Sequence, residues 1–79
     1  MEDAKILALF GKQIYEARLA KSWSQEKLAF EADLDRTYVS SVERGQRNIS
    51  IINIYKLAKA LDIAPHNLLS KTGGCDEKN

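Results

Sequence analysis

Apolar residues recur at helical spacing along most of this chain, and polar residues suited to capping or turning a helix break the recurrence. Leu7, Phe10, Ile14 and Ala17 share one side of an α-helical repeat, with Lys12, Glu16 and Lys21 elsewhere around the axis. That predicts an amphipathic first helix over residues 4–21, ending near Ser22. Ser24 is suited to accept from the first-turn amides of a short second helix reaching Ala32, whose apolar face is Leu28, Ala29 and Ala32. Asp33-Leu34-Asp35 interrupts the pattern, and Asp35 can cap a third short helix through Thr37, Val39, Val42 and Glu43 to Arg44. Gly45 is its natural stop. A polar connection, Gln46 to Ile49, leads to the capping candidate Ser50 and a fourth helix with Ile51, Ile54, Leu57, Ala58 and Leu61 as its inward face. Asp62 should end it. Pro65 suits the first turn of a last short helix carrying Leu68 and Leu69. No strand-like alternation of useful length occurs, so the expectation is an all-α domain of five helices over residues 1–70 and a disordered tail over residues 71–79.

The 79 residues leave room for one core. A domain of this size buries roughly 60% of its unfolded surface and is marginal unless something adds to it. A partner subunit is the expected addition. Cys75 is the sole cysteine and His66 the sole histidine, so neither an intrachain disulfide nor a metal cluster nor a Cys/His catalytic pair can be completed. Glu43 has no second carboxylate, histidine or nucleophile at a plausible position. The chain therefore reads as a protein with no catalytic residues, no metal and no cofactor. Apolar runs are far below a membrane span, and Met1-Glu2-Asp3-Ala4-Lys5 followed by a helical pattern fits neither a signal nor a transit peptide. A cytoplasmic protein without a membrane partner is expected.

A net charge of +1 makes no general case for nucleic acid, but its distribution is uneven. Residues 1–35 carry five Lys/Arg against seven Asp/Glu, whereas residues 36–59 carry Arg36, Arg44, Arg47, Lys56 and Lys59 against Glu43 alone. The second and third helices, joined by a short turn, have the arrangement in which one helix crosses the DNA backbone while the next enters the major groove. With Val39, Val42 and Leu34 inward, Arg36, Thr37, Tyr38, Ser40 and Ser41 are left mostly outward. A merely solvated helix more often carries Lys and Glu. Arg can grip a guanine edge bidentately, Thr and Ser serve base edges or phosphates, and Tyr can donate to phosphate.

Gln25-Glu26-Lys27-Leu28-Ala29, Leu34-Asp35-Arg36-Thr37-Tyr38-Val39-Ser40, Val42-Glu43-Arg44-Gly45 and Leu57-Ala58-Lys59-Ala60-Leu61 resemble the phage-repressor and Cro type of helix-turn-helix domain. The likeness covers roughly residues 10–69 and implies the lambda-repressor-like five-helix fold. Asp35 to Ser40 followed by Glu43-Arg44-Gly45-Gln46-Arg47-Asn48-Ile49-Ser50 is most similar to the controller proteins of bacterial restriction–modification systems.

The resemblance implies that Gln25 contacts a phosphate and braces the recognition helix. It implies that Arg36, Thr37, Tyr38 and Ser41 read bases and adjacent backbone. Arg44 is balanced between DNA contact and a favourable place at a helix C-terminus. Arg47 and Asn48 fall in a loop laid along the DNA backbone or groove edge, and Arg18 and Glu43 match an internal ion pair. Asp33 and Asp62 stand where relatives often have Gly, and Asp tolerates left-handed backbone better than most. Ser22 also replaces a common Gly. Trp23 is expected to plug the core or staple the second helix, and Phe30 to pack against the first. Ile52 and Tyr55, lying off the inward face near Pro65 and Leu69, supply a second apolar surface for a homodimer. The implied function is a transcription regulator that binds double-stranded promoter DNA at inverted repeats and contacts or competes with RNA polymerase. It would activate or repress its own and an endonuclease gene. The alternative is an antitoxin-like or phage-type repressor using the same fold as a protein-interaction module. RNA binding is disfavoured because an exposed aromatic stacking platform is absent.

Overall fold

Three helices open on a side-chain acceptor that the sequence places just ahead of them. The computed structural model of the chain describes residues 2–69, and the tail expected over residues 71–79 lies outside them. The elements are α1 (Asp3–Ala20), α2 (Gln25–Ala32), α3 (Arg36–Glu43), α4 (Ile51–Leu61) and α5 (Pro65–Leu69). Ser24 accepts from the amide of Lys27, Asp35 from that of Thr37 and Ser50 from that of Asn53. Each contact satisfies one of the orphan donors of a helix start.

The exits of α1 to α4 share one device. Ser22 (φ 61°), Asp33 (φ 58°), Gly45 (φ 71°) and Asp62 (φ 58°) turn the backbone left-handed. The next amide then returns to a carbonyl in the last turn: Trp23 to Arg18, Leu34 to Ala29, Gln46 to Ser41 and Ile63 to Ala58, at 2.9–3.2 Å. This is the Schellman arrangement, and the half-buried Trp23, Leu34 and Ile63 then fold onto the core. Trp23 also lies under the ammonium groups of Lys21 and Lys27, 5.1 and 5.6 Å from its ring centre.

The core gathers Phe10, Ile14, Leu28, Ala29, Ala32, Val39, Val42, Leu57, Ala58, Leu61 and Leu68. α3 is held between α1 and α2, while α4 packs on α2 and α5. Gly11 permits the first of these contacts: a Cβ there would stand 2.4 Å from the carbonyl oxygen of Val42 and 2.6 Å from that of Glu43.

Two expectations about packing are corrected. Ile51 is not inward but 66% exposed. At about 100° per residue the core direction of α4 falls between Leu57 and Leu61, and Ile51 lies to one side of it beside Tyr55. Phe30 does not pack against α1; it is 80% exposed. Leu28, Ala29 and Ala32 occupy the inner face of α2, which meets α3 and α4, and Phe30 projects from the opposite side. Leu7, expected on the inward stripe of α1, is half-buried. No helix among the described residues is long and apolar enough to cross a membrane.

Candidate nucleic-acid interface

The base of the surface is a buried carboxylate. Glu43 accepts from Arg18 Nε (2.7 Å) on one oxygen, and from Arg18 Nη2 (3.0 Å) and Gln25 Nε2 (3.0 Å) on the other. Arg18 Nη1 donates to the carbonyl of Trp23 at 2.8 Å, and its guanidinium lies 5.4 Å from the ring centre of Tyr15. The side chains of Arg18 and Glu43 are only 9% and 4% exposed. The bond to Glu43 holds the guanidinium pKa above its ordinary value, so the cation persists at every working pH. One carboxylate thus joins α1, the first turn of α2 and the end of α3. Gln25 spends one amide hydrogen on it and keeps another for a ligand.

Arg36 and Gln25 border one open hollow of about 440 Å³, with Arg18, Ser24 and Glu26 completing it. The starts of α2 and α3 therefore face the same space. Thr37 is exposed, and both its amide and its hydroxyl donate to the carboxylate of Asp35. Those bonds, the hydroxyl first, hold the Asp35 carboxyl below its ordinary value. With its proton committed, the Thr37 hydroxyl offers lone pairs and a methyl group.

Tyr38, Ser40 and Ser41 are half-buried rather than fully outward, because α3 sits between its neighbours with only one strip in solvent. The Tyr38 hydroxyl accepts from Asn53 Nδ2 at 3.0 Å, and the guanidinium of Arg47 lies 5.0 Å from the Tyr38 ring centre. Arg44, exposed, donates to Ser40 Oγ (2.7 Å) and Gln46 Oε1 (3.2 Å), so Ser40 supports an arginine of its own helix. Asn48 is exposed and shares a hollow with Asp3, Ile6 and Leu7, toward the start of α1 rather than beside Arg36. Gln25 with Arg36, and Tyr38 with Arg47, are brought together. Besides Tyr15 and Leu19 on α1 and Phe30 on α2, exposed apolar side chains lie on α4 and α5, where Ile52 and Tyr55 are 65% and 58% exposed, Leu69 is exposed and Pro65 is half-buried.

Neither Asn53 nor Gly11 stands out in the sequence. A polar residue in a first helical turn and a glycine in a helix interior have local readings that hide their long-range contacts. Among the described residues no group of three or more His, Cys, Asp or Glu side chains could hold a metal ion.

The helix-turn-helix family matches the chain over residues 14–68. Control protein C.BamHI of Bacillus amyloliquefaciens is 54% identical over 76 residues, spanning 92% of this chain and 94% of that protein. The restriction-modification controller protein C.AhdI of Aeromonas hydrophila has a TM-score of 0.77 at 60% identity, covering 78% of this chain and 94% of that one. The controller protein C.Esp1396I, solved as a tetramer in complex with its natural 35 base-pair operator, has a TM-score of 0.77 at 33% identity. The match covers 85% of this chain and 88% of that one.

Proposed function

The chain belongs to the helix-turn-helix family of the restriction–modification control proteins, and on that premise we propose that it regulates transcription by binding an inverted repeat in promoter DNA as a homodimer. The observation that carries this reading is the open hollow shared by the starts of α2 and α3, bordered by Gln25 and Arg36, with the only acid of residues 36–59, Glu43, buried in an ion pair with Arg18 and bonded to Gln25. α3 enters the major groove with Arg36 and Thr37 at its leading end. Gln25 and Arg47 hold phosphates on either side, and Ser41, Arg44 and Asn48 add polar contacts along the flank. No bond is made or broken. Occupancy itself changes the access of RNA polymerase, by contact or competition, in the cytoplasm where the promoter lies.

Ile52, Tyr55, Pro65 and Leu69, now joined by Ile51, form the surface proposed for the second copy. Footprinting on the DNA upstream of the protein's own gene tests the whole reading. A protected inverted repeat, bound far more tightly than random duplex at the same salt, is expected. Equal affinity for both duplexes overturns it.

A further inference from the structure

We propose that Asn53 is a specificity-determining positioning residue: it makes the Tyr38 hydroxyl a donor only, so that Tyr38 selects an acceptor on a base edge. The inference rests on the reading of α3 as the DNA-facing helix and extends it to a residue of α4.

A phenolic hydroxyl can donate one hydrogen bond and accept another, and left alone it rotates to suit either kind of partner. Here Asn53 Nδ2 donates to it at 3.0 Å. The Asn53 amide nitrogen donates and offers the phenol proton no acceptor, so that proton must point elsewhere. Neither partner is loose. The Asn53 backbone amide is tied to Ser50 Oγ in the first turn of α4, at 3.2 Å. The Tyr38 ring lies 5.0 Å from the guanidinium of Arg47, within the range of cation–π attraction, while the edge N–H groups of that guanidinium stay available to phosphate. α3, the following loop and α4 thus clamp one ring.

A hydroxyl held as donor suits guanine O6 or N7, adenine N7 and thymine O4, and rejects the amino group of cytosine. Thr37, whose proton is committed to Asp35, has the opposite polarity. Neighbouring positions on α3 therefore present one acceptor and one donor, both set by residues that need not touch DNA.

The test begins with duplexes selected from a random-sequence pool by the wild-type protein. Affinities for the selected and a random duplex are then measured for the wild type, Asn53→Ala, Tyr38→Phe and the double variant. Asn53→Ala is expected to lower the ratio of the two affinities roughly fivefold, about one net hydrogen bond, with the random-duplex affinity and the salt slope unchanged. In the Tyr38→Phe background it should add nothing. Asn53→Asp is the second variant: an acid in a first helical turn favours the fold, and it reverses the bond to Tyr38, so the same ratio should fall further. Equal weakening on both duplexes, an undiminished effect without the hydroxyl, or loss of self-association overturns the proposal alone. Failure of the wild type to enrich any sequence sinks the DNA-binding reading and this proposal with it.

Discussion

Arg36 is exposed at the first position of α3, on the rim of the hollow it shares with Gln25, so its planar fork is open to a ligand. Its replacement by Ala should reduce discrimination at one base-pair position by about 1–3 kcal/mol, measured as the affinity difference between operator variants. A loss shared evenly by operator and random duplex would take base reading away from it. Arg47 works differently, because it lies in the loop after α3 with its guanidinium 5.0 Å from the Tyr38 ring centre. Arg47→Ala should lower the slope of log affinity against log salt by about one, the signature of one phosphate neutralised. An unchanged slope rules out that contact. Asp35 carries a pH dependence. Its folded carboxyl is held below the ordinary value of 3.8 by the Thr37 hydroxyl and amide. The stabilisation is therefore complete above 3.8 and is lost as pH falls through the lower folded value. The urea midpoint of wild type should exceed that of Asp35→Ala at neutral pH, and the gap should close in acid below 3.8. A gap that stays constant into that range excludes the cap as its source.

Between elements, the contact around Glu43 sets how α3 is presented, since Arg18 reaches it from α1 and Gln25 from α2. Removing one member of a buried ion pair strands the other, at about 3–5 kcal/mol, whereas replacing both by apolar side chains is often close to neutral. Arg18→Met and Glu43→Leu should each destabilise in urea unfolding by more than the double variant does. Purely additive losses would show that the two side chains are not coupled. The left-handed exits make a second case. Asp62→Val should cost about 1–2 kcal/mol, because a branched side chain resists φ 58°, while Asp62→Gly should be nearly neutral. Equal effects of Val and Gly in thermal unfolding would remove backbone conformation as the reason for Asp. These elements were legible because capping and turn chemistry is local: Ser24, Asp35, Ser50, Asp33 and Asp62 act within a few residues of themselves. What was not legible depends on which helix faces which. Periodicity marks a stripe on α2 and α4 but not the direction from which a neighbour arrives, so Phe30 and Ile51 read as buried although both are largely solvent-exposed. The Asn53–Tyr38 bond spans fifteen positions, and nothing at either residue names the other.

At the scale of the molecule, the described residues span only 35 × 22 × 21 Å and hold one helix-turn-helix, whereas successive major grooves on one face of DNA are about 34 Å apart. A second copy is the simplest way to reach the next groove. The exposure of Ile51 strengthens this, because the fold then leaves Ile51, Ile52 and Tyr55 in solvent along α4, beside an α5 that carries Pro65 and Leu69. A fully buried large apolar side chain contributes about 1.5–3 kcal/mol, and association costs about 4–15 kcal/mol in lost rigid-body freedom. A patch used twice across a two-fold axis is of the right order to offset that cost, and the resulting stability should rise with protein concentration. Tyr55→Glu places a charge where the two copies would meet, at a side chain that is 58% exposed in the single chain. Sedimentation equilibrium at micromolar concentration should therefore show a dimer for the wild type and a monomer for Tyr55→Glu. Operator affinity should fall in step, while binding of an isolated half-site stays close to that of the wild type. A wild type that remains monomeric, with Tyr55→Glu binding the inverted repeat as tightly, would defeat the dimer.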